Sequence, residues 1–138
     1  MPNRIVLIAS GLEFAGKSWH LKRLLAEPNL SDARAFPTDP IRIALYGDRA
    51  DAHVTKNEHV FKNEWARYEM LRALVTGTRV VASEAVMLTR THHQKPMMEM
   101  VARANQYVQA IEREYRERDG LPLPTSPSIV QLKALLFY

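Results

Sequence analysis

The stretch Ile5–Leu25, IVLIASGLEFAGKSWHLKRLL, decides how this chain is read. It opens with an apolar, β-branched run, Arg4 to Ala9, that stops at Ser10-Gly11. A run of strand length without alternation fits a strand buried on both faces, as in a parallel sheet. From Lys17 the apolar residues Trp19, Leu21, Leu24 and Leu25 precede Glu27-Pro28, where a helix has to stop. Between strand and helix lies Gly11-Leu12-Glu13-Phe14-Ala15-Gly16-Lys17-Ser18, which satisfies the spacing Gly-x4-Gly-Lys-Ser.

Each fixed position of that loop has a physical reason. Gly11 and Gly16 admit backbone conformations closed to other residues, so that main-chain N–H groups can curl around phosphate oxygens. The helix start adds partial positive charge at the same point. Lys17 is then expected to reach the terminal phosphates of ATP, and the Ser18 hydroxyl to ligate the Mg2+ that bridges them. With ordinary glycine usage the spacing arises by chance in only about a few chains per thousand of this length. Gly11 through Trp19 are the expected nucleotide-binding residues. Glu13 sits awkwardly beside polyphosphate, because like charges repel. On the residues alone, its side chain is expected to point to solvent.

The whole chain has 138 residues, enough for one domain with a sizeable core. Hydrophobic residues make up 46% and charged residues 25%, so an ordinary globular protein is expected. No apolar run approaches bilayer length, and the N-terminal apolar stretch is too short for a secretory leader. Zero cysteines exclude disulfides and cysteine-ligated metals and fit a reducing, cytoplasmic compartment. The net charge of +4 suits an anionic partner, although stretches such as EREYRERD read first as a solvated helix face.

Further along, Ala33–Phe36 reads as a short strand ending at Pro37. Thr38 or Asp39 can cap a short helix with Pro40 in its first turn, running to Gly47. Phe61, Trp65, Tyr68, Leu71 and Val75 fall at helical spacing before Gly77, and Arg79–Ala82 is a second clear strand. Residues 91–118 read as helix, with Ala104, Tyr107, Val108, Ile111 and Tyr115 in one stripe. The last apolar segment, IVQLKALLFY, reads as a helix capped near Ser126 or Ser128. The alternation of strand and helix predicts an α/β fold with a parallel sheet, yet only three strands are evident.

Two further clusters join the loop. Asp39 and Arg42 stand at i and i+3 on one helical turn, where a carboxylate can accept an acceptor hydroxyl's proton and a guanidinium can hold charge. Glu84 closes the strand in VVASEA. The adjacent His92 and His93 diverge by about 100° on a helix and cannot jointly chelate one metal.

The first part of the chain resembles thymidylate kinases, whose loops often read Gly-Leu-Glu or Gly-Leu-Asp before Gly-Lys. There the acidic residue faces the phosphoryl acceptor. Asp39-x-x-Arg42 resembles an element of small P-loop kinases, of the polynucleotide-kinase-like and zeta-toxin-like kind, within the wider AAA-type ATPase grouping. The resemblance implies a P-loop three-layer sandwich, here shortened by a strand or more. It implies a single kinase-like domain over 1–138, with a nucleotide- and acceptor-site core in 1–90 and a helical, lid-like part in 91–138. It also implies that Glu84, standing where the family has Asp, orders magnesium-bound water, with Arg90 the nearest candidate for a following arginine. REYRERDGLPLP resembles the family's lid, so that Arg116, or its neighbours Arg113 and Arg118, is expected over the transferring phosphoryl.

The expected activity is transfer of the terminal phosphate of Mg-ATP to a hydroxyl or phosphate of a small molecule or nucleotide. Lys17, Asp39, Arg42 and Arg116 are the catalytic candidates, and Ser18 and Glu84 the metal candidates. A degenerate, non-catalytic nucleotide-binding protein or an NTPase switch is the second reading, motivated by the shortage of strands. A nucleic-acid acceptor lacks a stacking stripe of aromatics. An unpaired sheet edge makes a homodimer one way of covering it, and no membrane partner is expected.

Overall fold

The computed structural model describes residues 3–11, 22–23, 25–28, 32–36, 38–47, 53–85, 91–124 and 128–137. In chain order these form β1 (Arg4–Gly11), β2 (Arg34–Ala35), α1 (Thr38–Tyr46), α2 (Lys56–Val75), β3 (Val80–Ala85), α3 (Thr91–Arg118) and β4 (Val130–Phe137). The strands make one sheet in the order β2-β3-β1-β4. Every pairing is parallel. Parallel neighbours require crossovers, and among the described residues helices supply them.

The unalternating run of β1 is explained by its place between β3 and β4. Val6 and Ile8 are fully buried, and Leu7, which points to the other side, is buried as well. Val6 and Ile8 meet Met70, Leu71 and Leu74 of α2 and Met100, Ala104 and Val108 of α3 in one core with Val81 and Val130. Small residues on the buried side of α2, Ala66 and Ala73, allow this close approach.

Local signals set the helix ends. Thr55 and Glu58 form a reciprocal capping box at the start of α2: the Glu58 N–H donates to Thr55 Oγ1 at 3.2 Å and the Thr55 N–H to Glu58 Oε1 at 3.1 Å. α1 ends at Gly47, whose φ of 69° is the left-handed conformation that lets its N–H donate to Ile43 O at 2.9 Å.

The C-terminal segment differs from its sequence reading. Residues 130–137 form strand β4, paired with β1 along its whole length from Arg4↔Val130 to Gly11↔Phe137, and not a helix. A short apolar run fits a doubly buried strand and a buried helix equally well by pattern. Here the open side of β1 takes it up as a strand. Asn105 of α3 fixes its start: Asn105 Nδ2 donates to Val130 O at 2.9 Å, and the Val130 N–H donates to Asn105 Oδ1 at 2.6 Å. The fourth strand is thus supplied by the end of the chain, and the part beyond residue 90 is one long helix followed by a core strand.

Candidate functional site

In an open parallel sheet, ligands bind outside the carboxyl ends of the strands, at the point where successive connections leave in opposite directions. The order β2-β3-β1-β4 puts that point beside β1. The chain leaves β1 toward β2, whereas it leaves β3 over β1 toward β4. The crevice between the ends of β1 and β3 is therefore the expected site. The register places Ala9 opposite Glu84 and Ser10 opposite Ala85. Gly11, the first residue of the Gly-x4-Gly-Lys-Ser loop, ends β1 one step further on.

The third contribution arrives from β2. The Phe36 N–H donates to Ala82 O at 2.7 Å, and the buried Ser83 hydroxyl donates to Phe36 O at 3.0 Å. These bonds pin the chain leaving β2 onto β3, one residue before Glu84. Two residues after Phe36 the helix α1 begins, with Asp39 in its first turn and Arg42 one turn on. Its far end is tied down as well, since the Tyr46 hydroxyl donates to Glu58 O at 2.8 Å. Gly11, Asp39, Arg42 and Glu84 thus belong to segments that converge on one end of the sheet. Ser83 is a positioning residue that the sequence did not single out, because nothing in its neighbourhood marks one serine in a strand as a clamp.

Leu12, Glu13, Phe14, Ala15, Gly16, Lys17, Ser18 and Trp19 lie outside the described residues, as does Arg90. For Asp39 and Glu84 the described feature is the backbone course. No cluster of three or more His, Asp or Glu side chains suited to a metal occurs among the described residues.

The lid arginines are placed elsewhere. α3 runs back from the end of β3 to the start of β4, and Thr91 and Arg116 are separated by 25 residues of helix, or roughly 37 Å. Arg116 Nη1 donates to Pro122 O at 2.9 Å, and its Nε lies 3.7 Å from Glu112 Oε1. Arg118 lies over the Tyr115 ring at 4.5 Å. Arg113 lines a small cleft with Gln109, Leu123 and Pro124. Arg116 thus lies in the last turn of α3, where the chain leads on toward β4.

Among the described residues, the shifted ionisations lie outside the crevice segments. A hydrogen bond of 2.8 Å from Arg79 Nε to Asp32 Oδ2 lowers the Asp32 carboxyl and raises Arg79. Burial lowers Arg4 at the start of β1, against the opposing charge of Glu112. Burial likewise lowers Arg67, which lines a groove of about 340 Å³ between α2 and α3 near Glu64 and Glu99. Of these groups, Arg79 and Asp32 form an exposed ion pair. No helix among the described residues is long and apolar enough to cross a membrane.

No protein-family model matches the chain, and no curated protein matches it by sequence. Solved structures do match. A chain of the Pnkp1/Rnl/Hen1 complex is similar with a TM-score of 0.63 at 13% identity, over 100% of this chain and 37% of that one. A putative kinase from Chloroflexus aurantiacus j-10-fl is similar with a TM-score of 0.59 at 13% identity, over 99% of this chain and 86% of that one. The Mycobacterium tuberculosis APS kinase CysC, as a Cys556Ala mutant, is similar with a TM-score of 0.53 at 14% identity, over 96% and 87%. The chain spans little more than a third of the first of these and most of the other two. At such identities the likeness carries the fold alone: an α/β fold with a four-stranded parallel sheet flanked by helices.

Proposed function

We propose that this chain is an ATP-dependent phosphotransferase that moves the terminal phosphate of Mg-ATP to a hydroxyl or phosphate of a small molecule or nucleotide. The observation that carries the reading is the register Ala9↔Glu84, which brings the start of the glycine loop beside the acidic strand end. The pinning of Phe36 by Ser83 adds the first turn of α1 to the same end of the sheet.

The donors suit the ligands. A hydroxyl and a carboxylate, Ser18 and Glu84, are the hard oxygen ligands that Mg2+ takes, directly or through water. Bound Mg2+ neutralises charge on the phosphates. The main chain of Gly11–Ser18 and the Lys17 ammonium hold the phosphate oxygens. Asp39 accepts the proton of the acceptor hydroxyl as its oxygen bonds to the terminal phosphorus and the bond to the leaving phosphate oxygen breaks. Arg42, one turn along, balances charge on the acceptor side. β4 adds a fourth strand to the three evident in the sequence. A cytoplasmic location fits the absence of cysteine.

Calorimetric titration with Mg-ATP, beside the Lys17→Ala variant, tests the nucleotide site. Binding by the wild type that is lost in the variant is the expected result. Transfer from labelled ATP to a panel of acceptors then tests the chemistry. Absence of wild-type binding removes the proposal at its root.

A further inference from the structure

The buried side of α2 holds Lys62, Ala66, Met70, Ala73 and Leu74, whereas Phe61, Trp65 and Tyr68 are turned outward, each about half exposed. The helix thus leaves three aromatic rings in solvent and encloses a lysine that is 9% exposed. Among the described residues no carboxylate lies within ion-pair distance of the Lys62 ammonium. Glu58, one turn earlier, is held in the capping box with Thr55 instead. Among the described residues the polar contact of Lys62 Nζ is with His59 Nδ1, at 3.4 Å. An ammonium can only donate, so Nδ1 accepts and the ring proton stands on Nε2. His59 therefore brings a second N–H donor and no opposing charge. Enclosing a cation is costly unless an opposite charge meets it.

The topology decides which end of the sheet this lysine serves. β2 and β3 are parallel neighbours, so the chain that leaves the end of β2 must come back to the start of β3. α2 ends at Val75 and β3 begins at Val80, so α2 makes that return and its first turns lie toward the carboxyl ends of the strands. The helix from Lys62 to Val75 measures roughly 20 Å, and β3 from Val80 to Ala85 roughly 17 Å. Lys62 therefore stands about level with the end of β3, where Glu84 lies. Its contact with His59, three residues earlier, shows the ammonium leaning further toward the start of α2, as long helical side chains do. α1 reaches the same place through the bond from the Tyr46 hydroxyl to Glu58 O. Arg42 is one turn before Tyr46 and Lys62 one turn after Glu58, so each cation stands roughly 6 Å along its helix from that contact.

We propose that Lys62 and His59 form a subsite for an oxyanion carried by the phosphoryl acceptor, so that the acceptor is an alcohol that also bears a phosphate or carboxylate. Assigning the oxyanion to the acceptor rests on the phosphotransferase reading; the oxyanion site itself does not. The anion makes and breaks no bond there. Its charge meets the enclosed ammonium, and its anchorage orients the acceptor hydroxyl toward Asp39.

Inorganic phosphate is the probe, titrated into the full chain while the His59 imidazole signals are followed by NMR and assigned with His59→Gln. Lys62→Met, Lys62→Arg and Lys17→Ala are titrated alongside, with far-UV circular dichroism to verify folding. The expected results are a saturable shift in the wild type and in Lys17→Ala, binding at least tenfold weaker in Lys62→Met, and binding kept in Lys62→Arg. Competition by sulfate then identifies a phosphate-type group on the acceptor, and competition by acetate a carboxylate. A wild type without a saturable shift overturns the proposal, and this arm stands even where Lys62→Met fails to fold. A shift unchanged in Lys62→Met overturns it too. So does a shift lost in Lys17→Ala, which places the phosphate on the glycine loop. The titrations need no nucleotide: a wild type that binds phosphate here but not Mg-ATP keeps the oxyanion site and loses its assignment to a phosphoryl acceptor.

Discussion

Replacing Asn105 by alanine removes the clamp that starts β4, and the cost can be worked from its bonds. The amide donates to Val130 O at 2.9 Å and accepts from the Val130 N–H at 2.6 Å, while Val130 is 4% exposed. Two hydrogen bonds contribute about 1 kcal/mol each, and a buried donor left without a partner adds about 1–3 kcal/mol. The expected loss is roughly 3–5 kcal/mol, a large fraction of the ~10 kcal/mol typical of a domain this size. In urea the midpoint falls with the slope unchanged, because the surface exposed on unfolding is the same. In thermal melts the midpoint falls by roughly 9–20 °C. The Asn105→Asp variant sharpens the test. It keeps an acceptor for the Val130 N–H but sets a carboxylate against the carbonyls of Val101 and Val130, both of which Asn105 now serves as donor. The native state then favours the protonated acid, so the folded-state pKa rises above the unfolded one. The stability recovered by protonation is fully present below the unfolded pKa and is lost as pH rises through the folded one. This variant is therefore expected to close part of its gap to wild type on acidification, whereas Asn105→Ala keeps a constant gap. A loss below about 0.5 kcal/mol for Asn105→Ala, the size of an ordinary surface change, refutes the clamp and with it the argument for where β4 begins.

Asp39→Asn is expected to leave Mg-ATP binding intact by calorimetry while abolishing transfer; full transfer in this variant removes Asp39 as the base. Arg116→Ala is expected to cost about 1 kcal/mol in urea melts through the lost bond to Pro122 O, with ATP binding unchanged; a selective loss of turnover would return Arg116 to the site. Asp32→Asn is expected to remove a stabilising contribution that is present at neutral pH and lost as pH falls through the depressed Asp32 pKa. Because Asp32 and Arg79 are both exposed, that difference between wild type and variant should be small, shrink further in high salt, and vanish at the acid end of a stability–pH series.

How far the sequence carried the reading depends on where each decision is made. Gly47 and Gly77 punctuate the chain by local backbone chemistry, and the helices they end follow the expectation closely. The Thr55–Glu58 capping box is equally local and follows from the spacing Thr-x-x-Glu. The segment from Val130 to Phe137 is decided elsewhere. Its apolar residues satisfy either a strand or a buried helix, and what selects the strand is the vacant edge of β1 together with the amide of Asn105, 25 residues away. The aromatic stripe of α2 is a second non-local choice. Helical spacing announces the helix but not which side meets the sheet; Ala66 and Ala73 win that side because small residues admit the closest approach. The same distinction runs through the site. The Gly-x4-Gly-Lys-Ser pattern and the pair Asp39 and Arg42 are legible because phosphate chemistry needs those residue types at fixed short spacing. The convergence of their segments is not, since it rests on Ser83 holding Phe36 across 47 residues. Local charge alone nominates Arg116, and 25 residues of helix separate it from Thr91 at the end that follows β3. Residue type and spacing therefore nominate chemistry, and the strand order decides which nominations share a site.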